Sequence, residues 1–210
     1  MAPIHSRVGS LGDVTANAAV RAGGSDVLER IISLARASFT QMGVSATRIE
    51  DISRAAGMTR QNLYRYVSGR DELVELVMVQ RVGEIGAELS SRASVLRGGF
   101  RNDIVELLVA AIEAGRHDAE FGALAEALPR FKLNVLLASS ASAMHNHVGD
   151  TFRPLLRQGL AEGLLRTDVS EDEMVEWLAE MLTLYVPRVD LDGDPLRRKV
   201  ERFVLRALTA

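Results

Sequence analysis

The chain has 210 residues, 47% of them hydrophobic and none of them cysteine. It can therefore bury one compact core or two small ones, and disulfides, thiol nucleophiles and cysteine-held metals are excluded. The net charge of −3 is unevenly spread: residues 1–70 hold nine arginines against five carboxylates, +4, and the other 140 hold sixteen basic against twenty-three acidic side chains, −7. Such asymmetry hints at a polyanion-binding N-terminal part, although a solvated surface explains it equally well until a motif is found.

Met1 to Gly24 are rich in Ala, Gly, Ser and Val, lack the compact apolar run of a secretory signal, and read as a flexible tail over residues 1–25. No run of about 18 apolar residues occurs anywhere, so no membrane partner is expected. From Asp26 to Met42 the apolar residues Val27, Leu28, Ile31, Ile32, Ala35 and Phe39 recur at helical steps, and Gly43 is placed to end that helix. Thr47 and Glu50 have capping-box spacing, predicting a short second helix from about Arg48 that buries Ile49, Ile52 and Ala56. Gly57 breaks it. Thr59 is placed to cap a third short helix to about Tyr66, Ser68-Gly69 closes that one, and a long helix follows from Arg70 to about Arg92. Beyond Gly98-Gly99, helices are predicted at about 101–117, 119–128, 130–147, 150–163, 171–187 and 194–208, with a second capping box at Ser170 and Glu173. The fold class is all-α.

Two short helices about a glycine turn, packed on a longer one, form the pattern of a helix-turn-helix, whose second helix lies in the DNA major groove. The third helix reads Thr59-Arg60-Gln61-Asn62-Leu63-Tyr64-Arg65-Tyr66, with Leu63 its only aliphatic residue. Arginine suits guanine edges, Gln and Asn suit adenine, and hydroxyls suit phosphates. A plain helical hairpin with a solvated polar face is the competing reading. No acid stands between Ser53 and Gly69, which favours DNA.

Residues 27 to about 76 resemble the DNA-binding domain of the TetR (tetracycline repressor-like) family. The likeness is carried by Phe39-Thr40-Gln41-Met42-Gly43, Thr47, Ile49 to Thr59, Leu63-Tyr64-Arg65-Tyr66-Val67 and Arg70-Asp71-Glu72-Leu73. The resemblance implies a three-helix DNA-binding domain over 26–69, a connecting helix over 70–92 and a helical ligand-sensing and dimerising domain over 93–210. It implies phosphate contact for Thr47, base or backbone contact for Thr59, Arg60, Gln61, Asn62, Tyr64 and Arg65, and a basic role for Arg70, where the family usually has Lys. Val67 stands in place of the usual Phe, and Gln61 in place of a small residue.

In the second half, Met174, Leu178, Met181 and Tyr185 share one helical stripe, and Leu196, Val200, Phe203, Val204, Ala207 and Leu208 form another. The resemblance implies that these helices form a homodimer interface. Leu108, Phe121, Phe131, Leu137, Met144 and Trp177 are candidate ligand contacts, because ligand sites are mostly apolar. His145, His147 and Asp150 suggest a metal, but His145 and His147 are two apart and do not share a helix face; no metal or cofactor is expected. No phosphate loop or nucleophile elbow occurs, so no enzyme is expected. The expectation is a cytoplasmic, nucleoid-associated regulator that binds a roughly palindromic double-stranded operator and is released by a small, largely apolar effector. The alternative is a helical ligand-binding or scaffold protein that does not bind DNA.

Overall fold

The structure is a computed structural model and describes residues 25–94, 98–139 and 142–209, without the side chains of Arg130, Phe131, Leu137 and Ala138. Apart from Ser25, the expected tail lies outside the described residues. Helix α1 (Ser25–Met42) buries Ile31, Ile32, Ala35 and Phe39. It stops where Gly43 takes φ +84°, a left-handed conformation that costs glycine nothing. Helix α2 (Ile49–Ala55) begins one residue later than the Thr47–Glu50 spacing predicts. The carboxylate that reaches back is Asp51, which accepts from the backbone N–H of Arg48 at 3.0 Å. Gly57, at φ +66°, turns the chain into α3 (Arg60–Leu63), and Thr59 caps it by accepting from the Asn62 N–H at 3.2 Å. This helix is shorter than expected, because the chain leaves it in turns that bond Tyr66 and Val67 back to the Leu63 carbonyl.

Helix α4 (Arg70–Ala93) follows, then α5 (Phe100–His117), α6 (Ala119–Ala127), α7 (Arg130–Ala138), α8 (Ala143–Ala161) and α9 (Glu171–Tyr185). The capping box at Ser170 and Glu173 is present in both directions. Helix α10 (Gly193–Lys199) widens into a π turn over Val200–Val204 and ends as α11 (Leu205–Leu208). Among the described residues there is no strand, only a single bridge between Leu165 and Thr209.

The expected break at Gly149 is not there. Gly149 is buried inside α8; α7 closes earlier, at its C-cap Ser139, and α8 opens at its N-cap Ser142. Ser142 supplies the N-cap, accepting from the Met144 N–H at 3.2 Å, so the start signal of α8 is a serine rather than a glycine.

Two hydrophobic cores meet along α4. The first contains the α1–α3 residues with Leu73, Val74, Val77 and Met78, and it also takes in Phe121, Leu124 and Leu128 from the α6 region and Met144 from α8. The second lies among α5, α8, α9 and α10–α11, and Ile85 packs against both. The helix-turn-helix is thus continuous in packing with the domain behind it.

Candidate nucleic-acid interface and sensing cavity

Leu63 and Val67 are fully buried and anchor α3 to the first core, with Val67 filling its place despite its smaller size. That anchoring turns the remaining side chains outward. Thr59, Arg60, Gln61, Tyr64 and Arg65 are exposed and Asn62 is half-buried, so the structure brings the polar residues of the third helix onto one accessible element. Arg60 is held on that surface by neighbours. Its Nε and Nη2 donate to the Tyr64 hydroxyl at 3.1 and 3.0 Å, its guanidinium lies 5.4 Å from the Tyr64 ring centre, and Nη1 meets Glu50 of α2 at 2.5 Å. The acid missing from the third helix is therefore supplied across the turn by Glu50, and Arg60 must exchange it for any other acceptor.

Thr47 and Arg70 are placed differently. Thr47 is 1% exposed, and its hydroxyl donates to the Gly43 carbonyl at 2.8 Å. Arg70 donates from Nε to the Thr47 carbonyl at 2.9 Å and from Nη2 to the Val44 carbonyl. Together they tie the α1–α2 turn to the start of α4. Both side chains are engaged in bracing the element that carries α3.

Between α4, α5, α6, α8 and α9 lies a cavity of about 60 Å³, walled by Val82, Ile85, Phe121, Val148, Phe152 and Leu182 and touched by His147 and Thr151. Of the expected ligand contacts, Phe121 lines it. Leu108 and Met144 are fully buried in the two cores and do not reach it. Trp177 is half-buried away from its wall, and its indole N–H has no partner among the described residues. The side chains of Phe131 and Leu137 lie outside the described residues. Sequence reasoning missed Gly86, Gly115 and His147, all of which line the cavity; the first two read as ordinary helix positions, and the histidine had been weighed only as a metal ligand. A larger recess of about 550 Å³ opens beside the ends of α4 and α5, where Asp103, Asp150 and Gln158 are among the lining residues.

A charged cluster links the two regions. Arg36 of α1 grips Glu84 of α4 at 2.5 and 2.7 Å and Glu120 of α6 at 2.7 Å to each oxygen. Arg81 of α4 donates to Asp118 at 2.6 and 3.0 Å and to Glu84 at 2.7 Å. Asp118 also caps α6, accepting from the Phe121 N–H at 2.6 Å, so the cluster reaches the cavity wall. A second tie joins buried Glu75 of α4 to Lys132 of α7.

Hydrogen bonds from Arg36, reinforced by Arg81 and opposed by burial, hold the Glu84 carboxyl down at about 2. Bonds from Arg81 likewise hold Asp118 below the usual carboxylate range. A carboxyl depressed by folding contributes stability that is present above its unfolded value and lost as pH falls toward its folded one. Thermal melts are therefore expected to drop between about pH 5 and pH 2, less steeply in Glu84→Gln than in the parent chain. The Glu84 side chain is 41% exposed, so solvent screening keeps its share modest. Identical pH profiles for the two proteins would remove the cluster from the account of stability.

The fold and its exposed α3 define a helix-turn-helix protein with a helical domain behind it. Residues 31–77 match the family described as bacterial regulatory proteins, tetR family. Among solved structures the chain is similar to the transcriptional repressor QsdR of R. erythropolis, at 16% identity over 88% of this chain and 96% of that one, with a TM-score of 0.63. It is similar to RolR in complex with resorcinol, at 18% identity over 87% of each chain and a TM-score of 0.60. A third likeness is to the repressor AlkX of Dietzia sp., at 15% identity over 84% and 92% and a TM-score of 0.57. No curated protein matches the chain. Residues 31–77 thus match the family's model, and the chain as a whole shares the fold of these solved structures.

Proposed function

We propose that this protein is a DNA-binding transcriptional regulator, a repressor that a small, largely apolar molecule releases from its operator. The observation that carries the reading is the mounting of α3. Leu63 and Val67 fix it to the core, Arg60, Gln61, Tyr64 and Arg65 face outward, and the adjoining α4 forms a wall of the cavity. A ligand that alters the cavity thus acts on the helix that positions α3. It needs only to favour a state in which the recognition helices are wrongly spaced, and a complete switch takes about 5.5 kcal/mol of differential affinity.

The same reading gives a homodimer. Leu184 of α9 and Phe203 of the π turn are 50% and 64% exposed, large apolar side chains on the elements expected to pair. A two-fold dimer presents two copies of α3 to a roughly palindromic duplex. QsdR and AlkX are described as repressors, and RolR is described in complex with resorcinol; these descriptions support a repressor with a small-molecule site. The protein acts by binding rather than catalysis, in the cytoplasm at the nucleoid. No described helix is long and apolar enough to cross a membrane.

The test is a salt titration of duplex binding. Exposed Arg65 gives two phosphate-reaching arginines in a dimer, for which a fourfold rise in salt is expected to weaken binding about tenfold. Affinity that stays flat across that range would contradict the reading and favour a helical scaffold that does not meet DNA.

A further inference from the structure

The cavity under α4 has one polar fixture with its hydrogen bonding unused. His147 projects from α8 into the wall, and its imidazole has no hydrogen-bond partner among the described residues. The other polar side chain there, Thr151, donates its hydroxyl proton to the backbone carbonyl of His147 at 2.9 Å. The imidazole sits against α4 where that helix has no side chain: a methyl group at Gly83 would stand 3.1 Å from both Cε1 and Nε2, and one at Gly86 would stand 2.7 Å from the Thr151 hydroxyl. Two glycines one turn apart therefore let α4 lie directly on the His147–Thr151 face of α8.

We propose that this cavity takes a neutral molecule with a compact apolar body and a hydroxyl, and that His147 holds the hydroxyl. The proposal deepens the reading of the chain as a ligand-released regulator, and rests on that reading for its biological meaning. The remaining wall, including Val82, Ile85, Leu89, Phe121 and Phe152, offers nothing polar to a ligand. No arginine or lysine lines the cavity, so a carboxylate would be buried without a fixed counter-charge, at far greater cost than a hydroxyl. A second hydroxyl would have only the lone pairs of the Thr151 oxygen to meet it, because that hydroxyl's proton is already given to the His147 carbonyl. Either imidazole tautomer serves, since a hydroxyl both donates and accepts. In this conformation the cavity is about 60 Å³, well short of the roughly 150 Å³ that holds a benzene ring. A ring-sized guest must part the walls. Anchored on His147, it bears on α4 at Gly83 and Gly86, the helix that leads to α3.

The experiment measures binding of phenol, toluene and benzoate to the full chain by calorimetry and thermal shift, with His147→Leu and His147→Gln beside the parent. Phenol is expected to bind about tenfold more tightly than toluene, the worth of one well-made hydrogen bond, and benzoate more weakly than phenol. His147→Leu is expected to abolish the preference for phenol over toluene, and His147→Gln to retain part of it. Equal affinity for phenol and toluene in the parent would overturn the proposal. So would tighter binding of benzoate, a phenol preference that survives in folded His147→Leu, or failure of all three to bind the folded parent. Should His147→Leu not fold, the parent's phenol-to-toluene ratio and its reduction in His147→Gln decide the matter. None of these readouts uses DNA. A chain that binds phenol as stated but ignores every duplex overturns the regulator reading alone, and one that binds duplex but none of the three compounds overturns this proposal alone.

Discussion

Val204→Asp is expected to unfold the chain, whereas Phe203→Asp is expected to leave it folded and monomeric. Val204 is 1% exposed and lies in the same core as Leu196, Val200 and Leu208, so an aspartate there has neither water nor a cationic partner. Substitutions of that kind fall in the exceptional class beyond about 4–5 kcal/mol, a large part of the roughly 5–15 kcal/mol that holds a domain together. Phe203 is 64% exposed and makes no such contribution within the subunit. Its replacement acts only where a second copy covers it. Circular dichroism melts and sedimentation separate the two outcomes. A native melt for Val204→Asp would contradict the core assignment, and a fully dimeric Phe203→Asp would place the interface elsewhere.

Replacing Arg60, Gln61 and Asn62 together by alanine is expected to abolish the distinction between operator and random duplex while leaving the fold intact. Each good side-chain pairing with a base edge carries about 1–3 kcal/mol of discrimination. Loss of two such pairings, about 2–6 kcal/mol, lowers specificity roughly thirtyfold or more. Asn62, being half-buried, contributes least of the three. Arg70→Ala is expected to behave differently. It removes the brace to the Thr47 and Val44 carbonyls, so it should lower the melting temperature and weaken every duplex alike. Arg70→Lys should rescue it poorly, because one ammonium cannot reproduce the fork that spans two carbonyls. Selection on a random duplex library, run beside thermal melts, distinguishes these effects. An unchanged consensus from the triple variant would count against α3 as the reading element.

The long amphipathic helices were legible in the sequence because burial on one side imposes a 3.6-residue period. Helices α1, α4 and α9 fall within two residues of the expected limits. The Ser170–Glu173 box was legible for a related reason, since both partners lie within a single turn. The break between α7 and α8 was not. Glycine usually interrupts helices, but Gly149 is buried in one, and the true boundary is set by a serine cap that competes with many similar serines. Thr47 shows the same limit. Its place beside Glu50 looked like a cap, yet its hydroxyl is taken by a carbonyl from the preceding turn. The C-terminal stripe is only partly buried within the subunit. The buried line runs through Leu196, Val200, Val204 and Leu208 at four-residue steps, and Phe203 falls beside it.

The recognition helix could be read in advance because its chemistry is local: a cap, one apolar anchor and a run of outward polar side chains. The cavity is not local. It depends on where α4 and α8 come closest, which is decided by Gly83 and Gly86 meeting His147 and Thr151 across about 60 residues of chain. No spacing rule within one helix reveals such a meeting. The charged cluster at Arg36, Glu84, Glu120, Arg81 and Asp118 is dispersed in the same way over three helices and the cap of α6.

The most direct test of the account is to incubate the full chain with randomised duplex DNA at physiological salt, recover what it retains, and sequence it. The account predicts a roughly palindromic consensus whose half-sites lie about one helical turn, near 10 base pairs, apart or a multiple of it. Recovery of no enriched sequence by a folded, dimeric protein would contradict it.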